Sequence, residues 1–447
     1  MKGYPCVLIS GHYFHRNSGG GITLSNLFEG WDKNKIAAAA SFITSPSFEI
    51  CDNYYQLGSL EYELRFPFNL KHSNNQYYSG RIIESELLTS DRISIRESKS
   101  VFRRMYDGIL FTLGLIHYRN KFRVNDKFLE WIRELRPEII YSQLSSLEEM
   151  RTVARLQKEL KLPVAIHIMD DWPSTISEKY FPKMIWRRVI NKELKHLFNN
   201  AKVLLSISES MSEEYFKRYG LNFIPFHNPI DTKIWMAHSR TDSVVNESDV
   251  KVLYSGRIGI GISQSLVDVA ETIDSMNIKG SNITLCIQTP TEEHEILKTL
   301  KNFKCIVINP IVEYSKIPEI FSRADILLLA NDFDERAIAF LKFSMPTKAS
   351  EYMISGTPIM VYSAQETAVT KFFSQYECGH CVSRKNKKEL TDSINTLIHD
   401  QEYRNKISRN AIRVALERFD AEKVRSEFRN IFIDATQDGI SSDRRRN

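Results

Sequence analysis

Short apolar segments alternate with amphipathic segments along most of the chain, in two separate series. Apolar runs bounded by turn residues predict buried strands, whereas apolar residues spaced three and four apart predict helices. The predicted strands are 6–10, 138–144, 163–169, 202–208 and 222–227 in the first series, and 250–256, 283–288, 304–309, 325–330 and 358–363 in the second. Because parallel strands need a crossover connection, usually a helix, this alternation predicts two α/β domains with doubly wound parallel sheets.

The polar, aperiodic residues 231–250 separate the two series and are the best candidate for a linker. We therefore expect an N-terminal Rossmann-like domain over residues 1–235 and a C-terminal one over residues 248–414, facing each other across a cleft. A helix over about 415–433 is predicted to cross back to the first domain, and residues 434–447 are predicted to be a disordered tail.

The charge balance and the cysteine content exclude several classes of protein. The net charge of +5, from 60 basic and 55 acidic residues, is too small to predict a nucleic-acid partner. The sequence contains no apolar run long enough for a transmembrane helix, and its first residues read as a strand rather than a signal peptide. Six cysteines in so long a chain do not make a disulfide framework, which predicts a cytoplasmic location.

Cys378 and Cys381 form a C-x-x-C motif, which in a thioredoxin-like domain would be a redox pair. Here the motif lies late in a large α/β chain and precedes a polar turn, which argues against that interpretation. No second ligand pair with matching spacing appears, so we expect no metal site.

Ligands of doubly wound sheets bind beyond the carboxyl ends of the strands, so residues that follow strands are the candidates for a site. After the first strand, Gly20 and Gly21 would let the backbone approach a ligand closely, although a flexible turn is the alternative. After the strand at 163–169, Asp170 and Asp171 could accept a proton from an attacking hydroxyl or orient a sugar. They could equally cap the helix that follows, and the sequence leaves both interpretations open.

A second glycine-rich loop follows the first strand of the second series. Gly256 and the glycines after it could wrap a phosphate, with Arg257 as a bidentate donor. The alternative is a capping turn with a surface arginine.

Lys348 and Glu351 lie three residues apart on a helix predicted over 346–354, and therefore share a face. Ser344 is expected to cap this helix, with Thr347 beside the cation. A lysine at a helix N-terminus is unfavourable unless an anion lies near it, and a diphosphate would remove that cost. Glu351 could then accept hydrogen bonds from the two hydroxyls of an attached ribose. The alternative is an ordinary surface ion pair.

Together these motifs resemble a known enzyme family. The stretches YSGRIG, RADILLLA and S-x-P-T-K-x-x-E-Y-x-x-S-G-x-P-I resemble the retaining glycosyltransferases of family 4, in the branch that carries P-x-K before the glutamate. That family has the GT-B fold. The resemblance is clear over about 250–415 and weaker before it, where the glycine loop, HIMDDW and HNPID also fit.

The resemblance implies transfer of a sugar, with retention, from a UDP- or GDP-type sugar nucleotide to a glycan or a polyprenyl-linked or other lipid-linked acceptor. It implies a role in bacterial surface polysaccharide synthesis (O-antigen, capsule or exopolysaccharide), with no bound cofactor and no metal. Arg257 and Lys348 would contact the diphosphate, and Glu351 the ribose. Gly20 and Gly21 would lie near the diphosphate or the acceptor.

Two positions depart from the family pattern. A glutamate often found eight residues before the ribose glutamate is replaced here by Phe343, and no lysine follows Arg257 closely. Lys348 would compensate, as in the P-x-K branch. These departures keep two alternatives open: a non-catalytic subunit that binds a sugar nucleotide, and another GT-B enzyme such as an epimerase.

Two basic segments rich in apolar residues, 181–199 and 106–123, are candidates for contact with an anionic membrane. They would place the protein peripherally on the inner face of the plasma membrane. Amphipathic helices that pack on the protein with a solvated basic face are the alternative.

Overall fold

The structure, a computed structural model, describes residues 3–16, 19–65, 77–84, 101–177, 179–259, 261–290 and 295–437. The strands are β1 (Val7–Ser10), β2 (Ile36–Ala40), β3 (Asn53–Gln56), β4 (Tyr62–Leu64), β5 (Gly80–Ile82), β6 (Asn120–Phe122), β7 (Ile139–Ser142), β8 (Val164–Ile168), β9 (Val203–Ser206), β10 (Ile224–Pro225), β11 (Val250–Ser255), β12 (Ile283–Gln288), β13 (Ile306–Asn309), β14 (Ile326–Ala330), β15 (Ile359–Tyr362) and β16 (His380–Val382).

The helices of the described residues follow these strands in alternation. They are α1 (Gly19–Phe28), α2 (Val101–Thr112), α3 (Asp126–Leu135), α4 (Leu147–Leu160), α5 (Trp172–Ser177), α6 (Lys183–Asn200), α7 (Glu209–Tyr219), α8 (Thr232–Met236), α9 (Ser263–Ile278), α10 (Glu295–Leu300), α11 (Ile317–Arg323), α12 (Glu335–Leu341), α13 (Lys348–Ile354), α14 (Ala368–Gln375), α15 (Lys387–His399), α16 (Gln401–Arg418) and α17 (Ala421–Gln437). Short 3-10 turns cover Lys33–Lys35, Leu115–Tyr118 and Tyr314–Lys316.

The chain divides into two compact units. The first contains the described residues up to Phe226 together with those from Arg425 onward, and the second runs from His227 to Val424. The division after Phe226 falls before the polar stretch 231–250, part of which forms α8.

The first unit is built on a sheet with the strand order β10-β9-β8-β7-β1-β2-β3-β5. All neighbouring strands are parallel except β5, which runs antiparallel to β3. The strands β1, β2, β7 and β8 are fully buried, as their continuous apolar sequences require. The strand order reverses between β1 and β7, and this switch point is where ligands of such sheets bind.

The C-terminal helix completes the core of the first unit. Phe428 and Phe432 of α17 pack against Phe28 with ring centroids 5.2 and 6.0 Å apart, and both also contact Tyr141 of β7. Arg425 donates a hydrogen bond of 2.7 Å to the Asn26 carbonyl. Residues far apart in the chain therefore form one aromatic cluster.

The second unit has a six-stranded parallel sheet with the order β13-β12-β11-β14-β15-β16. This is the order of a dinucleotide-binding sheet, with its switch point between β11 and β14. The loops after these two strands are joined by a hydrogen bond from the Asp332 amide to the Gly261 carbonyl, 2.7 Å long.

The element types match the predictions, and the boundaries differ near the C-terminus. The last helix was expected over about 415–433, but it covers Ala421–Gln437 and follows another helix over Gln401–Arg418. The first four residues of the predicted tail at 434–447 are therefore helical, and its remainder lies outside the described residues. In the described part of the chain, we find no helix that is long and apolar enough to cross a membrane.

Candidate functional site

Lys348 is the first residue of α13, and its side chain reaches the end of strand β11. Its Nζ atom donates a hydrogen bond of 2.7 Å to the Ser255 carbonyl and lies 3.8 Å from the centroid of the Tyr254 ring. Cation–π contact with a tyrosine face is favourable for an ammonium group. The aliphatic part of Lys348 is thereby held in one place, with its charge directed at the loop after β11.

Glu351 lies one turn further along α13, and only 7% of its surface is exposed. Its Oε1 atom accepts a hydrogen bond of 2.9 Å from the Tyr314 hydroxyl. Tyr314 belongs to the segment after β13, at the carboxyl edge of the same sheet. Because Glu351 is buried and bonded to Tyr314, the alternative of an ordinary surface ion pair is wrong.

Burial shifts both ionisable groups toward neutrality. It lowers the pKa of Lys348 to about 7, against the attraction of Glu351, and the nearby positive charge of Arg257 lowers that pKa further. Burial raises the pKa of Glu351 to about 7, and the Tyr314 hydrogen bond and the Lys348 charge oppose this rise. The charges of Lys348 and Arg257 thus lie near each other, and a bound anion would stabilise both.

The loop after β11 passes directly in front of Lys348. Gly256 has a φ of +143°, and a Cβ atom at this position would lie 3.1 Å from the Lys348 Nζ atom. Tyr254 donates a hydrogen bond of 2.6 Å to the Arg257 carbonyl, which fixes the turn and leaves the Arg257 side chain exposed. The positive φ therefore favours glycine at position 256, and a side chain there would also crowd the Lys348 ammonium group.

Residues before α13 hold its first turn in place, although not as expected. The helix begins at Lys348, and its N-cap residue, Thr347, makes no side-chain cap hydrogen bond. Ser344 is not the cap, because it lies before the N-cap position and its hydroxyl donates a long hydrogen bond of 3.5 Å to the Phe340 carbonyl. Asn228 instead donates to the Thr347 carbonyl at 3.3 Å and accepts from the Ser350 hydroxyl at 3.2 Å.

The structure thus brings together Gly256, Arg257, Thr347, Lys348 and Glu351, all in the second unit. Two cations beside a glycine turn at the switch point suit a diphosphate. A buried carboxylate one turn away suits vicinal hydroxyls, to which it offers two acceptor oxygens. Sequence reasoning missed Tyr314 as the partner of Glu351, although its position after a strand could have identified it.

The predicted glycines of the first unit lie in the first turn of α1. A Cβ atom on Gly21 would come within 2.4 Å of the His15 ring, so this glycine makes room for the histidine. Gly20 faces Gln143, whose Oε1 atom would lie 3.5 Å from a Cβ at position 20. Close packing with His15 is therefore a structural reason for glycine at position 21.

The two aspartates after β8 have different surroundings. Asp171 has only 2% of its side chain exposed and accepts two hydrogen bonds from Arg218, 2.8 and 2.9 Å long. It also accepts one of 3.1 Å from the Tyr215 hydroxyl. These contacts occupy the carboxylate with structural partners and are those of a buried ion pair, not of a catalytic base. The exposed Asp170 stays a candidate.

Phe343 and the two cysteines of the C-x-x-C motif are all shielded from solvent to a large extent. Phe343, which replaces the family glutamate, is buried. Burial raises the pKa of the Cys378 thiol to about 12 and also raises that of Cys381, opposite to the shift that a reactive pair needs. In the ranges that the structure describes, no group of three or more His, Cys, Asp or Glu side chains could hold a metal.

Residues 238–414 match the family described as Glycosyl transferases group 1. No curated protein matches the sequence.

Three solved structures illustrate the proteins that share the fold of this chain. HepE of Anabaena, in complex with UDP and glucose, superposes with a TM-score of 0.60 at 11% identity over 96% of this chain and 100% of that one. Sucrose-phosphate synthase of Thermosynechococcus elongatus gives 0.61 at 13% identity over 96% and 98%. The UDP-forming trehalose-phosphate synthase of Burkholderia xenovorans gives 0.57 at 11% identity over 97% and 100%.

At such low identity these likenesses show the fold, and they confirm the prediction of GT-B. The family match confirms the prediction of a glycosyltransferase. Residues 238–414 are a glycosyltransferase group 1 domain, and the chain that carries it has the GT-B fold.

Proposed function

We propose that the protein transfers a sugar, with retention, from a sugar nucleotide to a hydroxyl of a glycan or lipid-linked acceptor. The observation that carries this proposal is the placement of Lys348, whose ammonium group lies against the glycine turn at the switch point of the second sheet. Because burial lowers the pKa of this lysine, its charged form gains much from an anionic ligand.

The donor would be bound through its diphosphate and its ribose. Lys348 and Arg257 are assigned to the diphosphate oxygens, and Glu351, oriented by Tyr314, to the ribose hydroxyls. HepE has been solved with UDP and the trehalose-phosphate synthase is UDP-forming, which supports UDP as the first nucleotide to test. Asp170 is proposed for the acceptor side, and Gly20 and Gly21 for contact with the diphosphate or the acceptor.

In this proposal, the bond between the anomeric carbon and the diphosphate breaks while the acceptor oxygen attacks from the same face. The acceptor proton passes to the departing phosphate oxygen, so no protein base is required. Lys348 and Arg257 would stabilise the charge that develops on the leaving group, a role for which preorganised cations are effective. We assign no metal to the reaction.

The acceptor would belong to surface polysaccharide or glycolipid synthesis in a bacterium. This part of the proposal rests on the family resemblance of the motifs.

The test is a comparison of donor binding with sugar transfer. A thermal-shift series with UDP, GDP, ADP and their sugars should find one nucleotide that stabilises the protein by about 2.7 kcal/mol at 100 times its dissociation constant. Lys348→Ala should remove this stabilisation, whereas Lys371→Ala, at an exposed lysine of α14, should retain it.

The same variants separate the alternatives. Release of nucleotide only when donor and acceptor are both present supports the transferase. Turnover of the donor alone would indicate an epimerase, and binding without turnover would indicate a non-catalytic subunit. Unchanged donor binding in Lys348→Ala would refute the assignment of the diphosphate.

A further inference from the structure

An exposed apolar surface lies where the end of α2 meets the beginning of α6. Phe181, Met184 and Ile185 are 55–67% exposed, although they are large apolar residues. Phe111 and Leu113 are exposed beside them. Isolated exposed apolar side chains are common on proteins, but several in one place mark an interaction site. We call these five residues the apolar surface.

Buried aromatic residues hold the two segments of the apolar surface together. The Phe181 amide donates a hydrogen bond of 2.7 Å to the Thr112 carbonyl, and the Trp186 indole donates one of 2.9 Å to the Leu113 carbonyl. The Phe111 ring lies 5.5 Å from that of Tyr180. Tyr180 and Trp186 thus face inward, whereas their neighbours at 181, 184 and 185 face outward. The apolar side chains are therefore exposed although the segment that carries them is well packed.

The same two segments are strongly basic. Residues 106–123 and 181–199 contain eight lysines and arginines against one aspartate and one glutamate, in a chain whose overall net charge is only +5. Lys183, Arg187 and Arg188 are exposed on α6, between and just after the apolar side chains. Apolar side chains among cations are the pattern of a segment that lies in the interface of an anionic membrane.

We propose that the apolar surface, with Lys183, Arg187 and Arg188, docks the first unit on an anionic lipid bilayer. The apolar side chains enter the boundary between headgroups and acyl chains, and the cations contact the lipid phosphates. Charge complementarity favours this partner over a second copy of the chain. In a twofold dimer the same cations would face each other across the interface and repel.

This docking goes beyond the transfer reaction and requires neither donor nor acceptor. The experiment is co-sedimentation of the full chain with vesicles of phosphatidylcholine, alone or with about 40% phosphatidylglycerol. The protein should bind only the anionic vesicles, and raising the salt to about 0.5 M should release most of it.

Two triple variants test the contributions of the cations and of the apolar side chains separately. Lys183→Gln/Arg187→Gln/Arg188→Gln should weaken binding about a hundredfold, since each cation near an anionic surface contributes about fivefold. Phe181→Ser/Met184→Ser/Ile185→Ser should weaken it by more than about tenfold. Because all six side chains are exposed, both variants should keep the wild-type melting temperature.

Matched controls lie in the second unit, on residues that are equally exposed. Ile278→Ser removes an apolar side chain that is 87% exposed, and Lys279→Gln/Lys301→Gln/Lys387→Gln removes three charges. Both should bind vesicles like the wild type.

Three results would overturn the proposal. The first is failure of the wild type to bind anionic vesicles, and the second is equal loss of binding in the control variants. The third is a dimer that forms without lipid and dissociates in the serine variant. That result would show that a second copy of the chain covers the apolar surface. Vesicle binding does not depend on whether the protein binds a sugar nucleotide. The membrane proposal and the proposed function can therefore fail separately.

Discussion

Replacing Lys348 by arginine should remove the pH dependence of donor binding on the alkaline side. In the free protein, burial lowers the pKa of Lys348 from its ordinary value of 10.5 to about 7, so the ammonium loses its proton within the working range of pH. A diphosphate contact requires the protonated form. Donor affinity should therefore be highest near neutrality and decline as the pH rises through this pKa.

The size of this decline in donor affinity follows from the lowered pKa of Lys348. Above the pKa of the free lysine, each pH unit adds about 1.4 kcal/mol, or a factor of ten in affinity, to the cost of protonating it. Because half of Lys348 is already deprotonated at pH 7, the dissociation constant should rise about fiftyfold between pH 7 and pH 9. Arginine stays charged throughout this range, so its profile should be flat even if its larger head group weakens binding overall.

At low pH, protonation of Glu351 should weaken donor binding. Its pKa is raised to about 7, so the carboxylate that would accept the ribose hydroxyls becomes protonated as the pH falls. The arginine variant should keep this acid decline, because Glu351 is unchanged. Glu351→Gln should remove it and keep the alkaline decline.

Isothermal titration calorimetry with a sugar nucleotide, from pH 6 to 9 in two buffers of different ionisation enthalpy, measures both effects. A sugar nucleotide is the correct probe because, unlike UDP, it has no phosphate group that titrates near pH 6. At pH 8 the wild type should take up about one proton on binding, and the arginine variant none. Lys371→Arg should behave as the wild type. The same alkaline slope in the arginine variant, or a flat wild-type profile to pH 9, would refute the reasoning.

Further predictions concern the neighbours of this lysine and the first unit. Tyr314→Phe removes a hydrogen bond that opposes the raised pKa of Glu351, so calorimetry should show donor binding about fivefold weaker with the acid decline moved to higher pH; an unmoved decline would contradict the assignment. Gly256→Ala places a methyl group against Lys348 at a φ of +143° and should cost about 1–3 kcal/mol of donor affinity or stability, to be separated by titration and urea unfolding. Asp171→Asn breaks a buried ion pair and should lower the free energy of unfolding by about 3 kcal/mol, whereas the same change at the exposed aspartate before it should not; wild-type stability with lost transfer would restore the catalytic interpretation.

The parallel sheets were predictable because their strands are buried on both faces. A strand such as Ile326–Ala330 then has a continuous apolar sequence that contrasts with the helices around it. The same rule located the loop at Gly256 and Arg257, since it follows a strand at the switch point. By contrast, the order of elements within residues 52–130 could not be predicted. The strands that the structure describes there, such as Tyr62–Leu64, are three or four residues long, which is too short for a period to appear.

Contacts between residues that are far apart in the sequence could not be predicted. Asp171 is 47 residues from Arg218, and no local pattern distinguishes a carboxylate that becomes buried from one that stays exposed like Asp170. The Tyr314 hydroxyl is likewise 37 residues from the carboxylate it contacts. Local propensity also failed at Ser344, because a favourable capping residue was available but the helix begins later, at Lys348.

The position of α17 in the first unit has a consequence for synthesis on the ribosome. Phe428 and Phe432 fill the aromatic cluster around Phe28, yet they are translated about 400 residues after it. A nascent chain that has released everything up to Val424 still lacks these two rings, and losing one large buried aromatic side chain typically costs about 3–5 kcal/mol. The unit whose sequence emerges first is therefore the last to close its interior, whereas the unit that ends at Val424 has all of its residues earlier.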